Sequence, residues 1–342
     1  MSKIVIRADG GRDIGLGHIM RSLVLAKELR KENEVIFMCR NSSVEPLKYL
    51  AGIEKVKSEG FEVILISEIN FIDDIKKFQK DLKADLIITD SYDVDEEYFA
   101  SLKSVFKFTG YIDDVNICKM DVDFIINQNI NAKKLKYNLE SNESTKLFLG
   151  PEYCLLRDEF RKSNDCIIKD KVEDILVTVG GMDKDCNTIK IIKEIKDFNC
   201  NIHIIIGSAF HDSIIKDLEN IAKENRRINL YRNANMALLM SKSDIAISAT
   251  GSTIYELAAM KVPTVGIIVA DNQIDICKEM NRRGMIIGIG KLEADNNEKL
   301  KFNIEKLINN KSERLKIIEK QSDLVDVNGA KKLANNIFKI IN

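Results

Sequence analysis

The sequence predicts an α/β protein built of two doubly wound, Rossmann-like domains. Three observations carry this. Short aliphatic runs alternate with longer amphipathic, Lys/Glu-rich stretches from one end of the chain to the other. The runs are continuous rather than alternating, which is how strands covered on both faces of a parallel sheet read. Finally, 342 residues exceed what one hydrophobic core usually organises.

Candidate strands in the first half are 4–8, 34–39, 61–66, 85–89, 106–112 and 123–127. In the second half they are 175–179, 201–206, 229–231, 244–248, 264–269 and 285–289. Strand–helix alternation implies βαβ units with right-handed crossovers. A helix is expected to start near Arg157, and the polar stretch 162–174 reads as the linker. The expected division is therefore an N-terminal domain over 1–162, a C-terminal domain over 163–322, and a closing helical segment over 323–342. Residues 299–320 also read as helical, with Leu307, Ile308, Leu315 and Ile318 on one face and charges on a solvated face.

Composition narrows the function classes. Lys+Arg at 52 nearly balance Asp+Glu at 53, so a net charge of -1 gives no electrostatic reason to expect nucleic acid or an anionic membrane as partner. The N-terminal apolar run is too short for a signal peptide, and no apolar stretch approaches the roughly 20 residues that span a bilayer. A cytoplasmic protein is expected. The seven cysteines are scattered without a Cys-x-x-Cys or Cys/His cluster, which argues against zinc and against a disulfide framework.

Polar and glycine clusters fall where the strands end, the edge at which doubly wound sheets bind ligands, and two such domains suggest a ligand between them. The first is Asp9-Gly10-Gly11-Arg12-Asp13-Ile14-Gly15-Leu16-Gly17-His18. Gly15 and Gly17 let the backbone turn tightly, and the helix behind them offers free N–H groups to an anion. It is neither a dinucleotide fingerprint, since the third glycine would fall on Met20, nor a P-loop. A positive helix end disfavours imidazolium, so His18 reads either as a neutral base or as a helix cap without chemistry. The second cluster, Gly180-Gly181-Met182-Asp183, reads either as backbone laid open to a ligand or as a plain strand-to-helix turn.

The third cluster is Thr250-Gly251-Ser252-Thr253-Ile254-Tyr255-Glu256. Gly251, Ser252 and Thr253 open a helix after a strand and make a diphosphate site, with Glu256 one turn on for a ribose diol. The competing reading is a capping box between Ser252 or Thr253 and Glu256. The fourth, Ala270-Asp271-Asn272-Gln273, follows a strand and turns polar side chains to the same edge. Asp113-Asp114, Asp121-x-Asp123 and Asp183-x-Asp185 have the look of metal pairs, but such spacings arise by chance in a chain this acidic. No metal and no cofactor are expected.

Taken together these clusters resemble the family of UDP-2,4-diacetamido-2,4,6-trideoxy-β-L-altropyranose hydrolases, the UDP-releasing step of pseudaminic acid biosynthesis. The resemblance runs over almost the whole chain. It rests on Arg7-Ala8-Asp9 with Gly15-Leu16-Gly17-His18-Ile19-Met20-Arg21, on Tyr111-Ile112-Asp113-Asp114 with Asn127-Gln128-Asn129, and on Leu149-Gly150-Pro151-Glu152-Tyr153. Gly180-Gly181, Gly251-Ser252-Thr253 with Glu256, Ala270-Asp271-Asn272-Gln273 and the tail Asp326-Val327-Asn328-Gly329 complete it. The chain departs from the family pattern at Gly10-Gly11, at Ser22 where many relatives have Cys, and at Val327.

The family is similar in fold to GT-B glycosyltransferases such as the N-acetylglucosaminyltransferase of peptidoglycan synthesis. That resemblance implies UDP on the C-terminal domain, a final helix within 331–342 returning to the N-terminal one, and catalysis without metal. It also implies catalytic roles for His18 and Asn272. The expected partner is a small-molecule UDP-sugar. Water activated by His18 attacks C1 with inversion, Arg12, Tyr92 and Arg157 hold the sugar, and Gly180, Gly181 and Gln273 line the nucleotide. Two other functions use nearly the same residues: a metal-independent inverting glycosyltransferase, and a nucleotide-sugar binding protein without catalysis.

Overall fold

The computed structural model describes residues 1–12, 14–138, 144–161, 168–293 and 297–342. The chain forms two compact units, Met1–Arg157 with Asn328–Asn342, and Asp158–Val327. The expected boundary between 162 and 163 lies outside the described residues.

The first unit carries a seven-stranded parallel sheet in the order β3-β2-β1-β4-β5-β6-β7. Its strands are β1 (Lys3–Ala8), β2 (Glu34–Asn41), β3 (Glu62–Ser67), β4 (Leu86–Asp90), β5 (Phe108–Ile112), β6 (Phe124–Asn127) and β7 (Lys146–Leu149). The side chains of β1 divide between the two faces, as strand geometry requires. Ile4, Ile6 and Ala8 join a core with helix α1 (Gly17–Leu29), helix α2 (Leu50–Ser58) and the last helix of the chain. Val5 joins the opposite core with helices α3 (Phe71–Leu82) and α4 (Glu96–Lys103). Register Ala8↔Asp90 brings the carboxyl ends of β1 and β4 together where the strand order reverses. At that point the two following loops diverge to opposite faces and leave an open edge.

The second unit repeats the plan with six parallel strands in the order β10-β9-β8-β11-β12-β13. These are β8 (Asp174–Thr178), β9 (Asn201–Ile205), β10 (Ile228–Tyr231), β11 (Ile245–Ala249), β12 (Thr264–Ile267) and β13 (Ile287–Gly290). The helices between them are α5 (Asn187–Ile195), α6 (Asp212–Glu224), α7 (Met236–Lys242), α8 (Thr253–Ala259) and α9 (Ile274–Arg282). Two more, α10 (Asn297–Asn309) and α11 (Lys311–Gln321), follow β13, and α12 (Gly329–Ile341) closes the chain on the first unit.

All twelve expected strands form, and β7 is an addition. The helix expected from Arg157 is instead one short 3-10 turn, Asp158–Phe160. Residues 299–320 do not form one helix: Asn310 interrupts them, its side chain accepting from the Glu313 N–H at 3.2 Å to cap α11. The new start rotates the faces, so Arg314 and Ile317 are buried while Leu315 is exposed. In α12, Leu333, Ala334, Ile337 and Ile341 enter the α1 core. A Cβ at Gly329 would lie 2.7 Å from the Cys154 carbonyl oxygen, so the tail glycine is what lets this helix start against the 151–154 turn. No helix among the described residues is long and apolar enough to cross a membrane.

Candidate active site

In the first unit the site grows from the carboxyl ends of β1, β4, β5 and β6. Asp9, just past β1, is buried and accepts from the Arg40 N–H at 2.7 Å and from Arg40 Nε at 2.8 Å. Arg7 pairs with the same carboxylate at 2.9 Å. The chain then folds back on itself, Gly11 and Gly15 exchanging both backbone hydrogen bonds at 2.9 and 2.8 Å. Gly15 has φ of 74°, a left-handed conformation that glycine adopts without strain. The Gly10-Gly11 pair is not loose. A Cβ on Gly11 would sit 1.8 Å from the Lys48 carbonyl oxygen, and one on Gly10 would sit 2.7 Å from the Ile19 side chain. The pair allows the loop to pack against the residues that lead into α2. Arg12 is exposed, its N–H donating to Lys48 O at 3.0 Å.

His18 is the second residue of α1, buried, and the helix start carries no side-chain cap, so the cap reading does not describe it. Its Nδ1 lies 2.6 Å from Oδ1 of the fully buried Asp90. A carboxylate only accepts, so Nδ1 donates to it, and in the neutral imidazole the lone pair is then on Nε2. Nε2 has no hydrogen-bond partner among the described residues. The imidazole is thereby held in one orientation, and the group that orients it is 72 residues away in sequence.

Asp90 accepts three further hydrogen bonds, from Arg21 Nε at 2.7 Å, Arg21 Nη2 at 2.6 Å and Ser22 Oγ at 3.1 Å. Ser22 thus completes the shell around the carboxylate. Arg21 also grips Asp114, Nη1 donating at 2.8 and 2.7 Å. Asp114 in turn accepts from the Tyr92 hydroxyl at 2.6 Å and from Asn129 Nδ2 at 3.0 Å. The Tyr92 and His18 rings meet nearly perpendicular, with centroids 4.6 Å apart. Tyr92, expected to hold the sugar, therefore has its hydroxyl hydrogen donated to Asp114.

The charges are strongly coupled. Burial opposes the charge on Arg21, but Asp114 and Asp90 more than restore it and raise its pKa well above the ordinary value. Burial likewise opposes ionisation of Asp90, and the charges of Arg21 and His18, with their hydrogen bonds, outweigh it and hold the carboxyl well below the usual range. Burial and then Asp114 push the Tyr92 phenol far up. Asp113 faces elsewhere, accepting from Tyr137 and from the Val115 and Asn116 N–H groups, and burial raises its pKa. Asp113 and Asp114 thus accept from different donors. Asp183 caps α5 through the N–H groups of Asn187 and Thr188 at 2.7 and 2.8 Å. Among the described residues, no three His, Cys, Asp or Glu side chains converge as metal ligands.

In the second unit the expected residues also gather at carboxyl ends. Gly180, with φ of 98°, and Gly181 follow β8; the carbonyl of Gly181 would be 2.4 Å from a Cβ on Gly207. Gly251 and Ser252 follow β11, and the Ser252 side chain makes no capping hydrogen bond to α8 and is exposed. The capping box is therefore not formed by Ser252. Asn272 and Gln273 lie in a short 3-10 turn after β12, where Gln273 Oε1 accepts from the Val269 N–H at 3.1 Å and its Nε2 faces Gly251. A cavity of about 400 Å³ opens beside this turn, lined by Val269, Ala270, Asp271, Lys190 and Lys291. A second cavity, about 370 Å³, lies at the opposite, amino-terminal edge of the sheet, lined by Lys169, Asp174, His203 and Arg314. Lys169 and His203 pair with Asp174, Arg314 donates to the Lys169 carbonyl, and none belongs to the four clusters. Arg157 ends the first unit, and His18 and Asn272 belong to different units.

Residues 175–337 match the glycosyltransferase family 28 C-terminal domain. The chain is 27% identical over 291 residues to the UDP-2,4-diacetamido-2,4,6-trideoxy-β-L-altropyranose hydrolase of Campylobacter jejuni, covering 82% of this chain and 97% of that protein. It is 24% identical to the spore coat polysaccharide biosynthesis protein SpsG of Bacillus subtilis, over 95% and 94% of the two chains. SpsG and this hydrolase are thus similar to the chain over most of its length and of theirs. An uncharacterised protein of Methanocaldococcus jannaschii, MJ1062, is 32% identical over 77% of this chain, which spans 55% of that longer relative.

Among solved structures, MurG of Acinetobacter baumannii superposes with a TM-score of 0.69 at 14% identity, over 99% of this chain and 100% of that one. The calicheamicin glycosyltransferase CalG4 gives 0.68 at 12% identity, over 99% and 98%. The fold of this SpsG-like chain is of the GT-B type. Sequence reasoning missed Asp90, Arg21 and Asp114 as site residues. Arg21 had a signal, since a residue three after His18 shares its helix face; Asp90 had only its place at a strand end.

Proposed function

We propose that this chain hydrolyses UDP-2,4-diacetamido-2,4,6-trideoxy-β-L-altropyranose, releasing UDP by water attack at sugar C1 with inversion, in nonulosonate biosynthesis of the pseudaminic acid type. The observation that carries the proposal is the His18–Asp90 pair, with Nδ1 fixed at 2.6 Å and Nε2 left open at the carboxyl edge of the sheet. The similarity to the Campylobacter relative, and that relative's name, support the substrate class.

In this reaction Nε2 of His18 takes a proton from water as the oxygen bonds to C1. The bond from C1 to the UDP oxygen breaks, and UDP leaves with the electron pair. General base catalysis of this kind contributes about 10²–10⁴-fold. The second unit supplies the nucleotide site: Ser252 and Thr253 with nearby amides for the diphosphate, Glu256 for the ribose, and Gly180, Gly181 and Gln273 around them. Asn272 assists catalysis from the turn after β12, and Arg12, Tyr92 and Arg157 contact the sugar. The leaving charge is received by hydrogen-bond donors, so activity survives a chelator. No carboxylic acid is needed to protonate UDP, unlike the two-carboxylate glycosidases.

The test is turnover without any acceptor. Incubation with the UDP-sugar in ¹⁸O-water, followed by NMR and mass spectrometry, gives UDP free of label and an inverted sugar labelled at C1. His18→Ala loses most of kcat while its affinity for UDP barely changes; normal turnover in that variant removes His18 from the mechanism. The match to a glycosyltransferase domain favours one second reading, in which His18 activates an acceptor hydroxyl. UDP then forms only when an acceptor alcohol is added.

A further inference from the structure

We propose that Asp114 is a positioning and charge-balancing residue which, acting through Arg21, sets how strongly His18 holds a proton. The inference rests on the reading of His18 as the base. Its ground is a closed circuit of contacts drawn from three separate segments. His18 Nδ1 meets Asp90, Asp90 meets Arg21, and Arg21 meets Asp114, all at 2.6–2.8 Å. Asp114 meets the Tyr92 hydroxyl at 2.6 Å, and the Tyr92 ring returns to pack against the imidazole.

The charge of this circuit does not close with its geometry. One guanidinium bridges two carboxylates, so with a neutral imidazole the group carries a net charge of about minus one in a place where charge is poorly screened. Asp90 alone cannot supply that surplus, because both its oxygens are already taken by Arg21. A lone Arg21–Asp90 pair would be neutral and would attract a proton to His18 less strongly. The second carboxylate, Asp114, draws Arg21's charge towards itself and leaves Asp90 free to stabilise an imidazolium. Proton uptake from water then takes the circuit to neutrality. Among the described residues, the charged or titratable groups that meet the imidazole are Asp90 from the end of β4, Arg21 from α1 and Tyr92 from the loop between; Asp114, after β5, stands one residue removed.

The sign follows directly. Asp114→Asn deletes a negative charge and frees Arg21's positive one, and both changes disfavour imidazolium. The chain has three histidines, 18, 203 and 211, so the His18 ring is readily assigned by comparison with His18→Ala. In Asp114→Asn the NMR titration midpoint of the His18 ring, and the acid limb of kcat/KM, both move to lower pH by about one unit. The plateau of kcat falls several-fold because the base is weaker. Tyr92→Phe, which removes a hydrogen bond to Asp114 without changing charge, leaves the midpoint in place. Should Asp114→Asn fold poorly, Asp114→Ser removes the same charge and is read in the same way.

A midpoint that stays put or rises in the charge-deleting variant overturns the proposal. So does an equal shift in Tyr92→Phe. The titration needs no turnover, which separates the two readings. A shifted midpoint in a protein that does not cleave the UDP-sugar sinks the proposed function and leaves this inference standing.

Discussion

Asp90→Asn is the perturbation whose size the geometry sets most closely. The carboxylate accepts four hydrogen bonds, two from Arg21, one from His18 and one from Ser22, and is fully buried. The amide keeps one acceptor oxygen and presents an NH₂ in place of the other. Since Arg21 donates to both positions, either orientation sets NH₂ against a donor. The less costly one puts NH₂ at the Oδ2 position, because the Ser22 hydroxyl can reverse and accept. His18 then keeps its tautomer but loses the charge that stabilises the imidazolium. In the other orientation Nδ1 must accept, the hydrogen moves to Nε2, and the base is lost. The expected fall in kcat is about 10²–10⁴-fold, with the affinity for UDP little changed. Breaking a buried ion pair also costs roughly 3–5 kcal/mol, which in a unit of about 170 residues lowers Tm by roughly 10 °C at neutral pH. Asp90's depressed pKa contributes stability that is present above the unfolded carboxyl value near 4 and lost as pH falls below it, so the Tm difference narrows from pH 7 towards pH 3. Stopped assays of UDP release, calorimetry with UDP and thermal melts at both pH values read all of this. A variant within about threefold of the parent in kcat and equal in Tm would refute the role assigned to Asp90.

Two further outcomes are expected. Glu256→Ala weakens UDP binding by roughly tenfold in calorimetry, the worth of about one hydrogen bond to a charged group, with kcat at saturation nearly kept; unchanged affinity would return Glu256 to a structural role in α8. Gly11→Ala forces the loop away from Lys48, whose carbonyl oxygen the new Cβ would otherwise meet at 1.8 Å, costing about 1–3 kcal/mol in a thermal melt and lowering kcat by displacing the start of α1. A variant as stable and active as the parent would show that the loop has slack.

Much of the fold was legible because buried parallel strands announce themselves as Val/Ile runs, and all twelve that read that way form. The one missed, Lys146-Leu147-Phe148-Leu149, is a four-residue edge strand with Lys146 and Leu147 exposed, so it lacks the length and apolar continuity that mark the others. The break at Asn310 was missed for a different reason: the apolar spacing runs on across it, and only the side-chain cap reveals that one helix has ended and another begun. His18 was legible from its glycines. Its partner was not, because Leu-Ile-Ile-Thr-Asp reads as any strand ending in a polar residue. Only the pairing of β1 beside β4, with Ala8 opposite Asp90, brings that aspartate to the start of α1.

That partner changes the weight of the whole cluster. An imidazole near glycines is a common feature, whereas an imidazole, a guanidinium and two carboxylates buried together are costly. Desolvating such charges consumes most of what their attraction returns, and apolar side chains of the same volume would hold β1, β4 and β5 together as well or better. The same unit shows what packing alone asks for: the opposite face of its sheet is filled by Val5, Met38, Ile87 and Ile125 against α3 and α4. The polar cluster sits only at the carboxyl ends of the strands, where the reversal of strand order opens the edge. Stability explains the apolar faces. It does not explain Asp90, Arg21 and Asp114, which the role proposed for His18, accepting a proton and giving it up again, does account for.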